Sequence, residues 1–234
     1  MKNKTELIVA LDVPNRLHIE PIILDLPKEV NFFKVGMQLF CAEGPDICRL
    51  LHEYNARIFL DLKLHDIPNT VAEAVRSAAE HNVEFITVHA SGGLHMMKAA
   101  VDASLEFEKN RPQIIAVTML TSLTTNNLNR MGIDRYVNEQ ALILAEMAIE
   151  SGVDGLVTSV YEVEEMRKAF GDDVILITPG IRFMDDVKHD QQRVATPQKA
   201  ARAGSNYIVM GRPILEADKP AEVASKILSQ LTKE

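Results

Sequence analysis

Phe59-Leu-Asp-Leu-Lys-Leu-His-Asp-Ile-Pro-Asn-Thr70 is an apolar run that carries Asp61, Lys63 and Asp66 to the point where a strand gives way to a loop. Side chains alternate across a strand, so Phe59, Asp61 and Lys63 share one face while Leu60, Leu62 and Leu64 share the other. One face is greasy throughout, and the other ends in opposite charges. Stranding one partner of a buried ion pair costs about 3–5 kcal/mol, so this acid and base are expected to be held together.

Seven further β-rich runs extend the pattern along the chain. In order, the eight are Glu6 to Asp12, Asn31 to Val35, Arg57 to Lys63, Glu84 to His89, Gln113 to Met119, Gly155 to Thr158, Val174 to Thr178 and Tyr207 to Met210. Segments with helical periodicity lie between them. Glu139 to Ser151 has an apolar stripe of Leu142, Ala145, Met147 and Ile149, and Thr70 to Asn82 is rich in Ala and Glu. Such alternation predicts parallel strands joined by crossover helices. With no Pro/Gly/Ser-rich linker in its 234 residues, the chain is expected to form a single (β/α)8 TIM-barrel domain over 1–234. A doubly wound open sheet is the alternative, and eight regularly spaced units favour closure.

Composition narrows the function classes. A formal charge of -8, with no Lys/Arg cluster and no aromatic array for stacking bases, argues against nucleic-acid binding. The apolar runs are far shorter than the roughly 20 residues that span a bilayer, and the N-terminus lacks a secretory signal. A soluble cytoplasmic protein with no membrane partner is expected. Cys41 and Cys48, seven residues apart on what reads as one helix, are expected to be ordinary reduced thiols.

Active sites in barrels lie at the C-terminal strand ends and in the loops that follow. The polar residues of this chain fall there: Asp12 ends strand one, Lys34 ends strand two, Asp61 and Lys63 end strand three, and His89 ends strand four. Thr121 follows strand five, Pro179-Gly-Ile-Arg182 follows strand seven, Gly211-Arg212 follows strand eight, and strand six is the least decorated. Gly211-Arg212-Pro213 has the ingredients of a phosphate site: close backbone approach, a bidentate cation and a proline suited to starting a helix. Arg182 is placed to reach the same group. The polar segment Ile181 to Thr196 reads as a loop of the kind that closes over a phosphorylated substrate.

An ammonium fixed between carboxylates stays protonated and can donate a proton to a developing carbanion, which is the reading given to Lys63 with Asp61, Lys34 and Asp66. The competing reading is a structural ion-pair network at the rim, with Asp66 capping a helix ahead of Pro68. His89 reads as a hydrogen-bonded rim residue, and His65 as structural or exposed. Lys34 and Lys63 argue against a metal site, which would gather carboxylates or histidines without competing cations.

Asp61-Leu-Lys-Leu-His-Asp-Ile-Pro-Asn-Thr70 resembles the signature of the orotidine 5′-monophosphate decarboxylase family, in its short bacterial form. Leu7-Ile-Val-Ala-Leu-Asp12, Phe33-Lys-Val-Gly-Met37, Thr87-Val-His-Ala-Ser-Gly-Gly93, Val117-Thr-Met-Leu-Thr-Ser122, Pro179-Gly-Ile-Arg182 and Val209-Met-Gly-Arg-Pro213 resemble that family's other blocks, in order. The resemblance implies decarboxylation of orotidine 5′-monophosphate to UMP without cofactor or metal. By the same carry-over, Lys63 protonates C6, Asp61 lies beside the substrate carboxylate, and Lys34 and Asp66 complete a charge network. Asp66, Ile67 and Thr70 reach into the neighbouring site of a homodimer. Asp12 and Lys34 hold ribose hydroxyls, Thr121 and Ser122 line the pyrimidine end, and Pro179, Arg182, Gln191, Gly211 and Arg212 serve the phosphate end. Phe183 and the stretch from Asp185 to His189 depart from the family pattern.

Two other readings compete. Magnesium-dependent sugar-phosphate decarboxylases and aldolases of the same suprafamily share Asp-x-Lys-x-x-Asp but have a glutamate where this chain has Lys34. A catalytically silent nucleotide-phosphate binder would need Gly211 and Arg212 but neither Asp61 nor Lys63.

Overall fold

The strands are β1 (Glu6–Ala10), β2 (Phe32–Gly36), β3 (Arg57–Leu64), β4 (Phe85–His89), β5 (Gln113–Val117), β6 (Gly155–Val157), β7 (Ile175–Thr178) and β8 (Tyr207–Met210), in a computed structural model that describes residues 5–183 and 195–231. Each pairs in parallel with the next, and β1 closes onto β8 with Glu6 opposite Tyr207 and Val9 opposite Met210. That closure makes a (β/α)8 barrel and rules out the open sheet.

Alternation along each strand sorts two cores. Ile8, Ala10, Phe32, Phe59, Phe85, Ile115, Ile177 and Val209 point inward and fill the barrel. Their neighbours Leu7, Val9, Phe33, Val35, Ile58, Leu60, Ile86, Val88, Ile114, Ala116, Leu176, Ile208 and Met210 point outward into the layer shared with the helices. The interior is aromatic at its N-terminal end, where the rings of Phe32, Phe59, Phe85 and Tyr207 meet at centroid distances of 5.2–5.8 Å. The Arg57 guanidinium lies 4.1 Å over Phe32 and is held by Glu84 and Glu6, both at 2.6 Å. This packed floor leaves the C-terminal end as the place where inward positions turn polar.

The helices follow the expected order with shifted edges. Pro68–Ala79 starts on a proline, which is tolerated where the N–H has no helical partner, and buries Val71, Ala72, Val75, Ala78 and Ala79. Val137–Glu150 is centred on Ala141, Leu144, Ala145 and Ala148, so of the expected stripe Ala145 lies on the buried face while Leu142, Met147 and Ile149 flank it. Small alanines allow closer approach to the barrel, and the larger side chains pack beside them. The single helix expected for both cysteines is two helices. Met37–Glu43 carries Cys41 and Asp46–Glu53 carries Cys48, broken by Gly44 at φ +64° and Pro45. Both thiols are free, Cys41 exposed and Cys48 buried, with burial pushing the Cys48 thiol up to about 11.

Candidate active site

The inward positions one step above the aromatic floor are where the charges begin. Two residues beyond Phe32 is Lys34, and two beyond Phe59 is Asp61. Thr87 lies two beyond Phe85, and Asp12 two beyond Ala10, so the period of the strands directs all four toward one space. They connect as an alternating chain. Lys34 Nζ lies 3.0 Å from Asp12 Oδ1 and 3.6 Å from Asp61 Oδ2, and Lys63 Nζ lies 2.8 Å from Asp61 Oδ1. Exposure is graded along it: the side chains of Lys34 and Asp61 are each 11% exposed, Lys63 27% and Asp12 51%. A buried carboxylate between two ammoniums, and a buried ammonium between two carboxylates, satisfy each other as burial demands.

Lys63 reaches Asp61 by a route that simple alternation does not give. Leu60 pairs with Ile86 and Leu64 with Val88, so Asp61, Leu62 and Lys63 bulge opposite Thr87, and Lys63 takes a left-handed φ of +51°. The Leu face survives the bulge, because Leu62 and Leu64 still pack on the outer core with Leu60.

Arg182, Gly211, Arg212, Pro179, Asp12 and Lys34 line one cavity of about 700 Å³, so the residues expected at the phosphate end share a space with the Asp12–Lys34 end of the charged chain, while Asp61 and Lys63 lie outside its lining. Gly211 is crowded: an added Cβ would lie 3.3 Å from that of Ala10. Pro213 falls at the first turn of the short helix Arg212–Leu215. A second cavity of about 1050 Å³ shares the walls Pro179, Gly180 and Arg182 and includes Thr121, Thr124, Ser159 and Glu162. Arg182 N–H donates to Ala195 C=O at 2.9 Å, joining the described residues on either side of 184–194. Gln191 lies outside the described residues.

Other expected residues stand apart. Asp66, Ile67 and Thr70 are exposed and line neither cavity, and Ile67 is 67% exposed. Asp66 accepts from the adjacent Ile67 N–H at 2.7 Å, while the helix cap itself is Ile67, so Asp66 is not the capping carboxylate. Ser122 is exposed beside Thr121. His89 is hydrogen-bonded to Ser91 Oγ at 2.7 Å and stacks on exposed His65 at 5.4 Å. Burial, then the neighbouring His65 and Lys63, hold the His89 imidazole below its usual value.

Sequence reasoning missed three residues. Thr87 is fully buried between Asp61 and Lys63, yet a threonine in a strand carries no signal of its own. Gly36 leaves room for the Lys34–Asp12 pair, since a Cβ there would lie 2.9 Å from Lys34 Nζ. After β6, Glu162 accepts from Thr158 Oγ1 at 2.7 Å and Ser159 N–H at 3.0 Å, and burial raises its carboxyl above the usual range. The pairing of a hydroxyl residue with a glutamate four positions on was its available signal.

The arrangement sets two arginines and a crowded glycine at one end and an alternating chain of ammoniums and carboxylates at the other. Among the described residues no three His, Cys, Asp or Glu side chains are grouped to hold a metal ion, and the carboxylates of Asp12 and Asp61 are engaged by lysines. No helix of the described residues is long and apolar enough to cross a membrane.

Comparison with known proteins gives a consistent set of relatives. The model of the Orotidine 5′-phosphate decarboxylase / HUMPS family matches residues 5–227. The chain is 46% identical over 226 residues to an orotidine 5′-phosphate decarboxylase of Legionella pneumophila, covering 97% of this chain and 99% of that one. With an enzyme of the same name from Bacillus cereus it shares 46% identity over 228 residues, 96% of each chain. A crystal structure of orotidine 5′-phosphate decarboxylase from Lactobacillus acidophilus superposes with a TM-score of 0.87 at 39% identity, covering 98% of this chain and all of that one. An uncharacterized conserved protein from Geobacillus kaustophilus gives 0.85 at 35% identity, over 97% of this chain.

Proposed function

Because the chain belongs to the Orotidine 5′-phosphate decarboxylase / HUMPS family, we propose that it converts orotidine 5′-monophosphate to UMP and carbon dioxide in pyrimidine nucleotide synthesis, with its own side chains supplying all the chemistry. The observation that carries this reading within the family is Lys34, which lies between Asp12 at 3.0 Å and Asp61 at 3.6 Å. An ammonium occupies the position at which the magnesium-dependent sugar-phosphate enzymes are expected to have a carboxylate.

In the proposed reaction the bond between C6 and the carboxylate breaks, its electron pair stays on C6, and carbon dioxide leaves. The Lys63 ammonium, 2.8 Å from Asp61, transfers a proton to C6 and is reprotonated from solvent. Asp61 beside the departing carboxylate opposes its charge, an opposition that relaxes as neutral carbon dioxide forms. The ammoniums of Lys63 and Lys34 favour the negative charge that develops instead. Asp12 and Lys34 hold the ribose hydroxyls, Thr121 and Ser122 the pyrimidine end, and Pro179, Arg182, Gln191, Gly211 and Arg212 the phosphate. Energy from the remote phosphate then assists the step at C6.

Asp66, Ile67 and Thr70 serve the neighbouring subunit of a homodimer in this reading. Their exposure, the 67% exposed Ile67 above all, supports it. One barrel domain over 1–234 and a cytoplasmic location accompany the reading, since a phosphorylated nucleotide is a charged intracellular substrate.

The test is ultraviolet loss of the orotidine 5′-monophosphate chromophore with purified protein and excess EDTA, with UMP identified chromatographically. Conversion in EDTA supports the proposal. No conversion, or conversion only of sugar phosphates with added magnesium, overturns it in favour of the other branch of the family.

A further inference from the structure

The bulge in β3 leaves one residue facing it, and that residue is Thr87. Its hydroxyl accepts from the Lys63 backbone N–H at 2.8 Å and donates to Asp61 Oδ1 at 3.1 Å. The Lys63 N–H is the donor that the bulge removes from the strand ladder, and Asp61 Oδ1 is the oxygen that also receives the Lys63 ammonium. A single fully buried hydroxyl thus ties the backbone of Lys63 to the carboxylate that orients its side chain. Lys63 holds a left-handed φ of +51°, which a lysine adopts only when its surroundings impose it.

We propose that Thr87 is a positioning residue for the reaction, holding Asp61 and Lys63 in register through this shared hydroxyl. The inference rests on the decarboxylase reading above. Thr87 acts through Asp61 and the Lys63 backbone, so it affects how often the ammonium stands ready and not how tightly the nucleotide binds. Valine has the same shape as threonine and deletes only the hydrogen-bonding group. A hydrogen bond to a charged partner is lost, and kcat is expected to fall about 10- to 100-fold in Thr87→Val.

The experiment measures kcat, KM and UMP affinity for wild type, Thr87→Val and Thr87→Ser, with circular dichroism melts for each. The proposal expects a lower kcat in the valine variant, UMP affinity within about twofold of wild type, and recovery of most of the kcat in the serine variant. Serine keeps the hydroxyl and loses the methyl, so recovery separates positioning from packing. Should Thr87→Val not fold, Thr87→Ala against Thr87→Ser gives the same comparison. Wild-type kcat in the hydroxyl-free variant overturns the proposal, as does a loss that serine does not restore. An inactive wild type would overturn the decarboxylase reading itself, a result these variants cannot mimic.

Discussion

Lys63→Ala separates the chemistry of the site from its architecture. Removing the ammonium deprives Asp61 of its 2.8 Å partner, but leaves it Lys34 at 3.6 Å and the Thr87 hydroxyl at 3.1 Å. Asp61 is therefore not abandoned as an unpaired buried charge, and the larger penalty for breaking a buried pair does not apply. The Lys63 side chain is 27% exposed, so the lost pair is worth about 1 kcal/mol or less after solvent screening. The left-handed φ of +51° penalises alanine as it does lysine, so backbone strain cancels in the comparison. For a chain of this size, the melting temperature should fall by no more than roughly 2–4 °C. Activity should behave differently. A lost proton donor is worth about 10²–10⁴ in rate, and a lost cation beside a developing carbanion about 10²–10³. Together these predict a fall of at least about 10⁴-fold, or roughly 5.5 kcal/mol in the barrel's contribution to the transition state. Saturating ultraviolet assays give kcat, calorimetric titration with UMP gives affinity, and thermal melts give stability. A folded variant that binds UMP and keeps more than a hundredth of wild-type kcat would refute the assignment of Lys63 as proton donor.

Three further outcomes are expected. Arg212→Ala should lower kcat/KM about 10- to 100-fold and weaken competition by inorganic phosphate, as loss of a charge-assisted phosphate contact requires; unchanged phosphate inhibition would remove Arg212 from that role. Gly155→Ala would put a Cβ 2.5 Å from the Ile175 carbonyl oxygen, inside the barrel wall, and should cost about 3 kcal/mol, or roughly 6–12 °C in melting temperature; a shift under about 2 °C would mean the wall yields. Burial raises the Glu162 carboxyl, so the folded protein binds its proton more tightly than the unfolded chain, and stability falls as pH rises from the ordinary carboxylate value through the raised one. Melts of Glu162→Gln over that weakly acidic range should show a flatter dependence, and parallel curves would sink the argument.

The parts of the site that could be read from sequence are those whose burial is expensive. Asp61, Lys34 and Lys63 interrupt apolar strands, and an isolated charge in such a place must find a counter-charge, so the residue types alone advertise the pairing. The strands themselves were legible for a related reason, since their apolar runs leave few alternatives once alternation is respected. The Gly44-Pro45 break between the cysteine helices is also written in the sequence. Helical periodicity read across it conceals it, although a glycine free to take φ +64° followed by a proline is a stop signal.

Thr87 and the Lys63 bulge belong to a different class. A hydroxyl is cheap to place on almost any strand, so Thr87 resembles an ordinary β-former until Asp61 and Lys63 are seen on either side of it. The bulge is hidden by the very pattern that reveals the strand, because the Leu60, Leu62, Leu64 face keeps its period and stays on the outer core while the backbone between departs from the ladder. The two hidden features explain one another. A strand in strict register would have given the Lys63 N–H to a backbone carbonyl; the bulge frees that donor, and an inward hydroxyl opposite it is the nearest acceptor that can also satisfy the carboxylate. A valine at 87 would therefore leave a partly buried N–H without its partner as well as loosening Asp61, which is why the loss should appear in turnover and be recovered by serine.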